Sequence, residues 1–254
     1  MTSKEYLYNI HNLLLQISFA VLFLVTNDST FAQVAQKNKY GLEIIETAAA
    51  LQQSATADSN MAMLDIKELV PGIIIDLKYS TKDNFLHTAL YPAGTPTTYL
   101  RRPAALALQK VQALLNSKGL SLKIWDAYRP YSVTEKMWEP VKDDRYAADP
   151  KFGSGHNRGI AVDLTIVDKA TGKELDMGTG FDNFSDTAHS NYTRLPQAVL
   201  QNRQLLRAAM EQHGFKVLDT EWWHFYLPDS KKYALMNLSF KQLDKWYKRN
   251  KKKK

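Results

Sequence analysis

Ser154-Gly155-His156-Asn157-Arg158-Gly159-Ile160-Ala161-Val162-Asp163-Leu164-Thr165-Ile166 is the stretch from which the rest of the chain is read. Two glycine-bearing pairs, Ser154-Gly155 and Arg158-Gly159, bracket His156, which places it on a loop or at a strand entry. From Ile160 the pattern is that of a strand. On a period of two, Ile160, Val162, Leu164 and Ile166 face the core, while Ala161, Asp163 and Thr165 face the other way. Asp163 is then directed into a cleft. A His and an Asp at this spacing are weak evidence alone, since both occur commonly for structural reasons.

A second segment, Glu221-Trp222-Trp223-His224, strengthens the first. Its density of aromatics favours a strand over a helix. Residues three apart on a regular strand face opposite sides, so Glu221 and His224 share a cleft only if a bulge intervenes or Glu221 lies in the entering turn. His156, Asp163 and His224 together offer the nitrogen and carboxylate donors that suit zinc. Three protein ligands leave one position for water, the mark of a catalytic rather than a closed structural site. Glu221 is then the general base beside that water. The absence of G-x-S-x-G disfavours a serine hydrolase.

Composition narrows the setting. The 254 residues contain no cysteine, which excludes disulfides and thiolate metal sites. A hydrophobic share of 44% and a charged share of 23% are those of a globular chain with a sizeable core. Leu13 to Val25 is an apolar run too short to span a bilayer comfortably, and Thr30-Phe31-Ala32 is a small-x-small pattern suited to cleavage after Ala32. Residues 1–32 therefore read as a signal peptide, and the mature protein as periplasmic or secreted. Residues 33–62 form a lead-in, with Ala48 to Ala57 as a peripheral helix or linker. Lys248, Arg249 and Lys251 to Lys254 carry most of the net charge of +7, so the body is nearly neutral. The tail, 248–254, reads as a solvated end with at most weak contact to an anionic envelope surface. Nothing interleaves aromatics with these lysines as nucleic-acid binding would require.

The domain itself, 63–247, alternates element types without a repeating βαβ order. Gly72 to Tyr79 and Ser121 to Tyr128 read as strands. Pro103 opens a helix that Gly119 stops, and Leu195-Pro196 opens another closed by Gly214. Ser132-Val133-Thr134-Glu135 has the form of a capping box, with Pro140 ending the helix it starts. The fold class is α+β, an antiparallel sheet with flanking helices.

Tyr128-Arg129-Pro130, then Ser-x-His-x-x-Gly-x-Ala-x-Asp, then Glu-Trp-x-His together resemble the zinc D-Ala-D-Ala dipeptidases of the vancomycin-resistance type. These are part of the wider D,D-carboxypeptidase and hedgehog-like zinc domains. The likeness extends from Asp76 to Tyr226 and includes Met177-Gly178-Thr179-Gly180-Phe181-Asp182. It departs at the long lead-in, the lysine tail and the Tyr91–Tyr99 loop, which bear on location more than on chemistry. The resemblance implies one zinc on His156, Asp163 and His224, Glu221 as base, and Arg129 as the stabiliser of the oxyanion. It implies a small D,D-dipeptide as substrate, with Asp182 taking its ammonium and Tyr79 as a second contact. Ser154 either touches the substrate or orients the His156 loop. The alternatives are a D,D- or L,D-carboxypeptidase acting on peptidoglycan stems, and a zinc-bearing wall-binding module without catalysis. A module of that kind has no need of Glu221 or Arg129.

Overall fold

Three strands from distant parts of the chain lie side by side at the centre of the molecule. They are β6 (Leu120–Asp126), β7 (Ala161–Asp168) and β9 (Glu221–Tyr226). The computed structural model describes residues 36–252; the signal segment and the last two lysines lie outside the described residues. The main sheet runs β4-β6-β7-β9-β8, with β4 (Ile74–Ile75) and β8 (Lys216–Leu218) at its edges. The β6-β7-β9-β8 ladders are antiparallel, as expected, but β4 joins β6 in parallel. Gly72 to Tyr79 thus supplies only a two-residue strand before a 3-10 turn at Lys78–Ser80. Two small sheets complete the strand set: β1 (Gln36–Lys37), β2 (Glu43–Ile45) and β10 (Leu235–Met236), and a ribbon of β3 (Met63–Asp65) with β5 (Tyr99–Arg101).

Among the described residues, seven α-helices flank the sheets. Two long ones, α3 (Arg102–Asn116) and α6 (Gln197–Glu211), pack against one another, and α3 also packs on β6. Leu108, Val111 and Leu115 of α3 and Val199, Leu206 and Met210 of α6 are buried, each contributing about 1.5–3 kcal/mol by leaving water. The others are α1 (Ala48–Ala57), α2 (Ile66–Leu69), α4 (Tyr131–Val141), α5 (Gly155–Arg158) and α7 (Phe240–Lys251). Helix α4 starts one residue before the anticipated capping box, after Pro130, and without a side-chain cap. Pro140 sits inside its last turn rather than beyond it.

The lead-in is woven into the domain. Strand β2 pairs with β10 from near the C-terminus, and Leu51 of α1 is fully buried. Arg101, also fully buried, donates to the carbonyls of Met61, Arg158 and Ala234, joining the lead-in, the metal-motif loop and the C-terminal segment. At the other end, Lys248, Arg249 and Lys251 belong to the last turns of α7 rather than to a loose tail. Phe240, Leu243 and Trp246 of the same helix are buried, while Lys241, Lys245 and Lys248 are exposed.

Candidate active site

Two bulges in the central sheet assemble the site. Ile124 pairs with Leu164, yet Asp126 pairs with Asp163, so the β6 strand carries an extra residue at Trp125. Val217 pairs with Phe225, yet Leu218 pairs with Glu221, so β9 carries the excess there. A bulge bends its strand and re-aims the side chains around it. The second one resolves the facing of Glu221 and His224, whose Oε2 and Nδ1 lie 3.8 Å apart. Asp163 and His224 sit directly opposite one another on β7 and β9. At such a pair the Cβ atoms are about 4.5–5.5 Å apart, close enough to share an ion. Strand β7 is buried from Ala161 to Val167 without a break. Alternation therefore separates core from site here, not core from solvent.

His156 arrives from neither a loop nor a strand entry but from α5, a single turn. Ser154 caps it. The Asn157 N–H donates to Ser154 Oγ at 3.1 Å, and the Ser154 N–H donates to Asn157 Oδ1 at 3.0 Å. Asn157 Nδ2 then donates to the Arg129 carbonyl and to Thr134, which ties the turn to the start of α4. Gly159, at φ 72°, ends the turn, and an added Cβ would come within 2.9 Å of Met63. Ser154 thus caps the turn that carries His156 and also borders the cavity described below.

Three donor side chains converge. His224 Nδ1 is 2.9 Å from Asp163 Oδ1 and 3.2 Å from His156 Nε2, and His156 Nε2 is 3.4 Å from Asp163 Oδ2. His156 Nδ1 lies 2.7 Å from the Ala127 carbonyl, which accepts its proton and leaves Nε2 as the acceptor. Lone pairs from two rings and a carboxylate then face one another, an arrangement that a cation satisfies. Burial would raise the Asp163 carboxyl, but the His156 and His224 rings hold it well below the usual carboxylate range. Two imidazole nitrogens and one carboxylate oxygen, with no thiolate, fit zinc.

Around this group the other predicted residues line one cavity of about 260 Å³: Glu221, Arg129, Ser154, Tyr79 and Asp182 all border it. Burial pushes the Glu221 carboxyl up to about 7, with His224 pulling against it. Burial likewise raises Asp182 to about 7, opposed by the Phe85 N–H it accepts at 3.1 Å. Tyr79 donates to the other Asp182 oxygen at 3.1 Å, so its proton holds Asp182 in place. The Tyr79 ring meanwhile lies 5.1 Å from the Arg129 guanidinium and so spans the two groups.

Asp126 is the functional residue that sequence reasoning passed over. Fully buried, its Oδ2 accepts from Arg129 Nε at 2.9 Å and Nη2 at 2.8 Å, and its Oδ1 accepts from the Tyr91 hydroxyl at 2.7 Å. This fixes the guanidinium beside the donor group, with Nη2 3.9 Å from Asp163 Oδ2. Burial lowers the Arg129 pKa, but Asp126 more than restores it, so the group stays charged. The signal was available in Trp125-Asp126-Ala127-Tyr128-Arg129-Pro130, an acid three residues before an arginine at a strand end. Tyr91, from the loop expected to bear on location more than on chemistry, reaches into the site's support through that bond.

A three-donor centre open to a cavity, with a buried carboxylate and a fixed cation beside it, has the make-up of a mononuclear metal hydrolase. Residues 59–244 match the peptidase M15 family, described as D-Ala-D-Ala dipeptidase, and the chain belongs to that family. It is 38% identical over 174 residues to the D-alanyl-D-alanine dipeptidase of Escherichia coli K12, covering 68% of this chain and 89% of that one. The enzyme of the same name from Enterococcus faecalis V583 is 30% identical over 184 residues, covering 65% and 91%. Among solved structures, the L,D-carboxypeptidase LdcB matches at 17% identity and a TM-score of 0.35, over 58% of this chain and 69% of that one.

Proposed function

We propose that this protein is a zinc peptidase that hydrolyses D-Ala-D-Ala to two molecules of D-alanine. The observation that carries the reading is a single small cavity bordered by the His156, Asp163 and His224 donors, by Glu221 and Arg129, and by a separate carboxylate, Asp182. Its volume of about 260 Å³ falls below the ~300–1,000 Å³ of drug-sized pockets, which suits a dipeptide. Family membership supports the same substrate.

Zinc bound at the three donors supplies Lewis acidity toward the scissile carbonyl and toward water. Asp182 pairs with the substrate ammonium and so sets the dipeptide's register in the cavity. Glu221 accepts the proton of the attacking water as the new carbon–oxygen bond forms. It then passes that proton to the amide nitrogen as the carbon–nitrogen bond breaks. Arg129, held rigid by Asp126, offers its guanidinium to the oxyanion, a charge that develops only after attack.

Location belongs to the same proposal. The apolar run from Leu13 to Val25 and the cleavage pattern at Ala32 support export to the periplasm or beyond. Dipeptide met there comes from turnover of wall material rather than from the cytoplasmic precursor pool, which favours nutrition or remodelling over resistance. The exposed lysines of α7 are suited to weak contact with an anionic envelope surface. The test of the chemistry is metal dependence. Turnover of D-Ala-D-Ala vanishes on chelation and returns with one zinc per chain, and Ala at His156, Asp163 or His224 loses both. Full activity of metal-free protein overturns it.

A further inference from the structure

Asp182 sits in a long irregular connection between β7 and α6, and its own backbone is in the left-handed region at φ 56°. That conformation is uncommon for a residue with a side chain and persists only where the surroundings impose it. Tyr79 and the Phe85 N–H hold the carboxylate from the cavity side. The hold on the backbone comes from behind, from helix α6. Arg203 is buried there at 7% exposure. Its Nε donates to the Met177 carbonyl at 2.7 Å, Nη2 to Thr187 at 2.9 Å and Nη1 to His189 at 3.1 Å. One guanidinium thus closes the loop from Met177 to His189 at both ends.

The neighbours of Arg203 tie this clamp to the catalytic strand. Its guanidinium lies 5.6 Å from the ring of Trp222, the residue after Glu221, and Trp222 Nε1 donates to Thr179 within the loop at 2.7 Å. Gly178, at φ 81°, lets the loop press onto the start of α6, since a Cβ there would come within 2.9 Å of Leu195 and 3.1 Å of Val199. Among the described ion pairs none involves Arg203, so its charge is met by three carbonyl dipoles and the Trp222 ring, with Asp176 acting from further off. A charged, buried side chain whose three donors all go to one loop is an expensive way to fill space, and a fork with fixed geometry is what the task requires.

Resting on the dipeptidase reading, we infer that Arg203 is the positioning residue for substrate selection: it holds the Met177–His189 loop so that Asp182 meets the ammonium of a free dipeptide. Arg203 touches no reacting atom. Its loss therefore loosens recognition of the amine and leaves the metal centre and the base in place.

The experiment compares wild type, Arg203→Met and Arg203→Lys, each with zinc content determined, on free and N-acetylated D-Ala-D-Ala. For Arg203→Met, KM for the free dipeptide rises ~10-fold or more, equivalent to one misplaced charge-assisted contact, while kcat and zinc content hold. The preference for free over acetylated substrate collapses. Arg203→Lys behaves in the same way, because an ammonium cannot reach three carbonyls at once. In an Asp182→Ala background Arg203→Met adds no further loss, since both act through one contact. Amide hydrogen exchange without substrate shows lost protection across residues 177–189 and unchanged protection in β7 and β9. A variant that keeps the preference, or whose effect adds fully to that of Asp182→Ala, overturns the inference. A wild type with no preference overturns the dipeptidase reading instead, and the exchange result then still reports whether the clamp holds the loop.

Discussion

Glu221 and His224 lie three residues apart on one strand, and both reach the same centre, yet only His224 belongs to the group of mutually close donors. Glu221→Gln should therefore keep zinc and fold while losing turnover by the ~10²–10⁴-fold typical of a lost general base. Loss of zinc with Glu221→Gln, to the degree seen with His224→Ala, would show that Glu221 is a ligand. Asp182 supports a prediction in pH. Burial sets its carboxyl up to about 7, above the ordinary value, so it is neutral on the acid side and ionised above. Only the ionised form pairs with an ammonium, which itself persists to about 7.7–8.0. The ratio of kcat/KM for free over N-acetylated dipeptide cancels the titration of Glu221 and isolates that of Asp182. It should rise with pH through about 7; a ratio flat across that interval contradicts the role. At this scale the sequence was informative where chemistry leaves few options, as with two histidines and an aspartate. Asp126 left only a faint mark, an acid three residues before Arg129 at a strand end, and the bulge that turns it onto the guanidinium depends on a partner strand remote in sequence.

At the scale of elements, the positions of the functional side chains depend on irregularities. The bulge at Trp125 brings Asp126 opposite Asp163, and the one at Leu218 turns Glu221 toward His224. A bulge is a property of two strands in register, and the partner strand is remote in sequence, so periodicity within one segment shows at most that a bulge is needed. The turn α5 was illegible for a related reason. Four residues are too few to show helical periodicity, and its capping box is closed by Asn157 rather than by Glu or Gln. Long helices such as α3 and α6 carried their own signals in proline starts, apolar spacing and glycine stops. The cap gives a prediction at this scale. Ser154→Ala should lower stability by about 0.5–2 kcal/mol, as for a lost N-cap, and should weaken zinc affinity, because α5 carries His156. A thermal melt and a zinc titration read the two effects. Unchanged zinc affinity alongside a reduced kcat would instead place the Ser154 hydroxyl on the substrate.

Over the whole molecule, the three mutually close donors come from α5, β7 and β9, the guanidinium proposed for the oxyanion from just past the end of β6, and the carboxylate proposed for the amine from the loop before α6. Arg101 joins this assembly to the lead-in and to the C-terminal segment through three carbonyls. The α+β class was legible from the mixed element pattern. The way the lead-in closes a small sheet with β10 was not, because strands of two or three residues carry no periodic signature. The central claim is that one cavity couples hydrolysis at the three-donor centre to recognition of a free amine at Asp182. It is tested most directly by kcat/KM of the zinc-loaded enzyme on D-Ala-D-Ala, on its N-acetyl form and on a muramyl pentapeptide, each beside Asp182→Ala. The account predicts a strong preference for the free dipeptide that shrinks in Asp182→Ala, by about the 1.5–3 kcal/mol of a hydrogen bond to a charged group. Equal rates on free and acetylated substrates would contradict it and make the enzyme a carboxypeptidase of longer stems.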